Sequence, residues 1–144
     1  MSRLTILKRL LRDSRGAAAI EFALLAPSLI LLLFGVLTLG VHMQSYNSAR
    51  SIVYDLDRYT VVQYQTKNEI GAEQIAEVGT AIATSSPYNF PVDRLRISAE
   101  EVASGITGAK RFDVTLSYVP LDIPLPLDLD PPTIVQTQAI IVPD

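Results

Sequence analysis

GAAAIEFALLAPSLILLLFGVLTLGV, residues 16–41, decides the fold. From Ala17 to Val41 the run is 25 residues long and its only charge is Glu21. As a helix rising about 1.5 Å per residue it measures roughly 37 Å, enough to cross a hydrocarbon core of about 30 Å. A carboxylate inside such a segment is costly, so Glu21 is a functional residue by default. Pro27 removes one backbone donor and crowds the preceding turn. A kink or local melt is therefore expected near Ala23–Pro27.

On the N-terminal side lies a short basic leader, residues 1–16. Arg3, Lys8, Arg9, Arg12 and Arg15 stand against Asp13, a net of +4. By the positive-inside rule this end is cytoplasmic and everything after Val41 lies outside. Leu4, Ile6, Leu7, Leu10 and Leu11 give the leader some amphipathic character, fit for a membrane surface or a disordered tail. Taking +4 from the chain's −3 leaves −7 for the rest. An acidic exported part argues against nucleic acid, which selects a basic footprint. With no Cys, disulfides, thiolate metal sites and Cys nucleophiles are excluded.

On the C-terminal side no Gly or Pro interrupts residues 42–64. Ala49, Ile52, Val53, Leu56 and Tyr59 recur at spacings of three and four, a one-sided apolar stripe. The spacing predicts one helix of about 45 residues, half in lipid and half in water, with a break at Thr66–Asn68. A second helix is expected from Glu69 to Thr84, with Ile75, Val78 and Ile82 on one face, ended by Ser85-Ser86-Pro87. Beyond Pro91 the period becomes two. Leu95, Ile97 and Ala99 form one alternating set; Phe112, Val114, Leu116 and Tyr118 form another. Thr133–Val142 is a third, less regular strand. The fold class is α+β: a long N-terminal helix, a short second helix and a small three-stranded antiparallel sheet covered by both. The domain plan is a leader at 1–16, a membrane part at 17–41, an exported helix at 42–68 and a head at 69–144.

Within the head, residues 119–132 alternate apolar side chains at odd positions with Pro or Asp at even ones. Prolines cannot donate to a ladder, so this Pro-rich excursion should be a loop or sheet edge. It lies across the domain's own core or docks on a neighbouring subunit. Asp122, Asp128 and Asp130 have no EF-hand spacing and read as a solvated acidic loop. His42, the only histidine, has no nucleophile elbow nearby. No phosphate-cradling Gly-rich loop occurs. No enzyme, metal or cofactor is implied.

Gly16 followed five residues later by Glu21, after a basic leader, resembles a type IV prepilin processing site. The stretch from Arg12 to Gly35, with Gly16, Glu21-Phe22 and Ala26-Pro27 in place, closely resembles the start of TadE-like proteins, pseudopilins of bacterial tight-adherence (Flp) pilus systems. TadF-like members share this start, and the two are not separated here. The resemblance implies cleavage between Gly16 and Ala17 by a prepilin peptidase. It implies a minor pilin or pseudopilin that works with other pilins and the inner-membrane assembly platform. The new ammonium on Ala17 lies one turn from Glu21. Pairing of the two, within or between subunits, would offset the burial of either charge and set the axial register. Ala19, Ala23, Ala26, Gly35 and Gly40 are small enough for close helix approach in lipid. Two rivals read the chain as a secreted periplasmic protein cut before Val41, or as a permanently anchored single-pass adaptor.

Overall fold

In the computed structural model, residues 15–120 and 132–144 are described. Helix α1 spans Arg15–Gln65, 51 residues, and α2 spans Ala72–Thr84. A 3-10 turn at Val92–Arg94 leads into β1 (Leu95–Val102), β2 (Ala109–Tyr118) and β3 (Ile134–Pro143). The sheet is an antiparallel meander in the order β1-β2-β3. The α+β class and element order are those expected from sequence.

The chain divides into two compact units, with α1 contributing residues up to Thr38 to one and residues from Leu39 to the other. In the first unit α1 is helical straight through Pro27, so no local melt occurs there. Proline removes a single N–H, and the flanking i→i−4 bonds continue on either side. Among the described residues α1 already includes Arg15, so Gly16 and Ala17 are both helical.

The second unit is built on the stripe of α1. Ala49, Ile52, Val53 and Leu56 are buried as the spacing requires. The stripe then passes through Thr60 and Tyr64, while Tyr59 stays exposed. Thr60 satisfies its buried hydroxyl by donating to the Leu56 carbonyl at 2.9 Å. Helix α1 ends in a Schellman motif: Asn68 N–H reaches Gln63 O and Lys67 N–H reaches Tyr64 O, both at 3.0 Å. Lys67 holds the left-handed position at φ 60°. The break expected at Thr66–Asn68 is therefore present, made by a lysine where glycine is usual.

Helix α2 begins at Ala72, three residues later than the pattern predicts. Gly71 caps it: its N–H donates to Gln74 Oε1 at 3.1 Å and its carbonyl accepts the first helical bond from Ile75. Ile70 falls outside the helix, where it is buried and its carbonyl accepts from Tyr64 Oη at 2.9 Å. Ile75, Gly79 and Ala83 form the buried face of α2, with Val78 and Ile82 partly covered.

Both helices cover one face of the sheet. Phe112, Val114, Leu116 and Tyr118 point inward from β2 and are all buried. One cluster joins Ala49, Ile52 and Val53 to Leu95, Leu116, Tyr118 and Ile134. The other joins Leu56, Tyr64 and Ile75 to Phe112, Val114, Ile140 and Val142. Phe90 stacks on Tyr118 with ring centroids 4.1 Å apart. Tyr88 Oη donates to the Asp55 carboxylate at 2.7 Å, tying the loop after α2 back to α1. The Glu69 and Asp144 carboxylates both reach Lys110 Nζ, at 2.9 and 3.1 Å. Of the Pro-rich excursion, residues 121–131 lie outside the described residues. Its first residues continue the sheet: Val119 N–H donates to Arg94 O at 3.0 Å, and Pro120 O accepts from Arg94 at 3.3 Å.

Gly79 is the tightest point of the head. A Cβ there would lie 2.8 Å from Leu56 Cδ2 and 3.2 Å from Ile97 Cγ2. Leu56 is fully buried and has little room to move. Gly79→Val should destabilise the head by about 1–3 kcal/mol through overpacking. Gly79→Ala should lose less, because alanine recovers up to about 1 kcal/mol of helix propensity. Thermal unfolding of the two variants checks the order.

Partial burial raises the pKa of the Asp57 carboxyl above its ordinary value. The folded state then binds this proton more tightly than the unfolded chain does. Stability contributed by the proton is present at low pH and is lost as pH rises from the unfolded pKa through the folded one. Asp57→Asn should therefore melt at a higher temperature than the parent at pH 7. That difference should shrink towards pH 3, as read from Tm across the range.

Candidate functional site

The first seven residues of α1 after Arg15 carry the processing and assembly residues read from the sequence. Gly16 and Ala17 are both helical and exposed. A Cβ on Gly16 would meet nothing within 4 Å, so open space surrounds the Gly16–Ala17 bond among the described residues. Glu21 lies one turn on, also exposed. Residues four apart on a helix share a face with Cβ atoms about 5–6 Å apart. Geometry thus brings Ala17 and Glu21 together. Glu21 has no ion pair or side-chain hydrogen bond among the described residues. Phe22, on the adjoining face, is 68% exposed.

What surrounds these residues is apolar on every side. Ile20, Leu24, Leu25, Leu29, Ile30, Leu32 and Leu33 are each more than half exposed, and at about 100° per residue they are spread around the axis. The most apolar 18 residues of this helix include none that is buried. A helix that is hydrophobic all round requires a non-aqueous neighbour, either lipid or other helices. This helix is long and apolar enough to be a single-pass membrane anchor.

The small residues do not form one seam. At about 100° per residue, Ala19, Ala23 and Ala26 share a stripe, whereas Gly35 falls on the opposite side from Ala26. A Cβ on Gly35 or Gly40 would meet nothing within 4 Å among the described residues. His42 lies just beyond the apolar run, half-buried on α1. Among the described residues no group of three or more His, Asp or Glu side chains is placed to hold a metal ion.

The comparison with known families falls on this same part of the chain. Residues 16–55 match the family model of TadE-like proteins. The TadE-like segment begins at Gly16 and takes in Ala17, Glu21, Phe22 and Pro27. It ends inside the soluble stripe, past Ala49, Ile52 and Val53. TadE-like proteins are structural components, and the family implies involvement in tight-adherence pilus systems. No curated protein and no solved structure matches the chain.

Proposed function

We propose that this chain is a minor pilin or pseudopilin of a tight-adherence (Flp) pilus. A prepilin peptidase at the cytoplasmic face of the bacterial inner membrane cuts between Gly16 and Ala17 and removes the basic leader. The apolar part of α1 holds the subunit in the membrane until the assembly platform draws it into contact with other pilins. The head, residues 69–144 with the exported helix, faces the periplasm and then the outside.

The observation that carries this reading is the pairing geometry at the start of α1. Cutting after Gly16 creates an ammonium on Ala17, one turn from an exposed Glu21 with no ion-pair partner among the described residues. Lipid is a poor solvent for either charge alone, and each offsets the burial of the other. Where the ammonium of one subunit meets Glu21 of the next, the contact sets the axial step between them. Phe22 packs beside it, and Pro27 leaves the Ala23 carbonyl free for a neighbouring helix. The start of the family match at residue 16 supports the same boundary.

Intact mass of the protein taken from membranes or sheared filaments tests the first step. Loss of residues 1–16 is expected. Loss of residues 1–40 would assign the chain to the secreted class, and no loss would make it a permanent anchor. Glu21→Ala should still be processed, at least in part, yet fail to assemble. Normal piliation in that variant, scored by electron microscopy, would remove the register role from Glu21.

A further inference from the structure

The sheet has two edges, and they are built differently. β1 carries Arg96, Glu100 and Glu101, and α2 packs along it. Edge charges and a covering helix are the usual protections against strand addition. Among the described residues β3 has neither feature. Ile134-Val135-Gln136-Thr137-Gln138-Ala139-Ile140-Ile141-Val142 contains no charge, and its only proline is the final residue, Pro143. On its outward face Val135 is 56% and Ile141 49% exposed.

Hydrogen-bond parity shows which groups this edge offers. Asp144 N–H donates to Gly108 O at 3.0 Å, in register with the β2–β3 ladder. In an antiparallel pair bonded residues alternate with unbonded ones. Even-numbered residues of β3 therefore bond to β2. Val135, Thr137, Ala139 and Ile141 turn their N–H and C=O groups to the open edge. Among the described residues no backbone bond reaches them. The only side chain bonded to them there is the Gln138 amide, 3.4 Å from Ala139 O.

We infer that the open edge of β3 pairs with β3 of a second copy of this chain, antiparallel about a two-fold axis at Gln138. The strand is its own complement in that register. Val135 falls opposite the partner copy's Ile141, and Thr137 opposite its Ala139. Both members of each pair have the correct parity, so about eight backbone bonds form across the axis. The two exposed aliphatic side chains cover each other at both ends. No like charges meet, because the strand carries none. Gln138 exchanges its weak contact with Ala139 O for its own counterpart on the axis. The result is one continuous six-stranded sheet. This pairing does not depend on the pilus reading, since it needs no other pilin.

The natural absence of Cys makes the register measurable in the full-length chain reconstituted in phosphatidylcholine vesicles. Gln138→Cys places two thiols at an unbonded antiparallel position, with Cα atoms about 4.5 Å apart, within disulfide reach. Mild oxidation should convert most of the protein to a covalent dimer. Ser98→Cys, exposed at the equivalent unbonded position of the protected β1 edge, should remain monomeric. Adding Thr137→Lys and Ala139→Lys opposes lysines across the axis and should slow cross-linking at least tenfold. Thr137→Lys with Ala139→Glu should restore it. Mixing one copy bearing Thr137→Cys with another bearing Ala139→Cys should cross-link faster than either alone, a readout independent of added charge. The inference is overturned if Gln138→Cys stays monomeric, if Ser98→Cys cross-links equally, or if the mixed pair shows no advantage.

Discussion

One helix in this protein is apolar on all sides at one end and on one side only at the other, and the rest of the structure follows from that constraint. Up to Thr38, α1 is apolar around its whole circumference, and among the described residues its most apolar stretch has no buried position. From Ala49 onward it is apolar on one side only, and that side is the floor of the head. Ala49, Ile52 and Val53 enter one buried cluster and Leu56 and Tyr64 the other. The sheet is too small to form a core alone; three strands require a covering layer. Helices α1 and α2 together supply that layer and meet at the near-contact at Gly79.

Periodicity made the helical stripe, the three strands and the α+β class legible, because burial on one face imposes a period on the residues themselves. It failed where a local backbone device overrode the pattern. Tyr59 has the apolar spacing but stays exposed, while Thr60 turns inward because its hydroxyl is satisfied by the preceding turn. Glu69 and Ile70 look helical, yet Gly71 caps α2 and Ile70 is buried as a loop residue whose carbonyl serves Tyr64. The tether from Tyr88 to Asp55 joins residues 33 apart, and no local spacing encodes such a contact. The role of Gly79 was equally hidden, since a glycine within a helix says nothing about its neighbours until the fold brings Leu56 and Ile97 against it.

The proposed site rests on order along one helix: a small residue, Gly16, then a carboxylate, Glu21, one turn after Ala17. The fold adds that residues 16–22 are all helical and exposed. What the local pattern could not reveal is the difference between the two sheet edges. The uncharged run from Ile134 to Val142 is visible in the sequence, but its meaning depends on β3 lying at an edge rather than in the middle of the sheet.

The arrangement of the two clusters along α1 has a mechanical consequence. The helix runs beneath both, with Ala49 to Val53 under one and Leu56 to Tyr64 under the other. A pull along the helix axis would load them in shear simultaneously instead of peeling them apart in sequence. Shear requires many contacts to slip together. The head should therefore yield to tension as one unit, at a higher force than either cluster would bear if unzipped from its end.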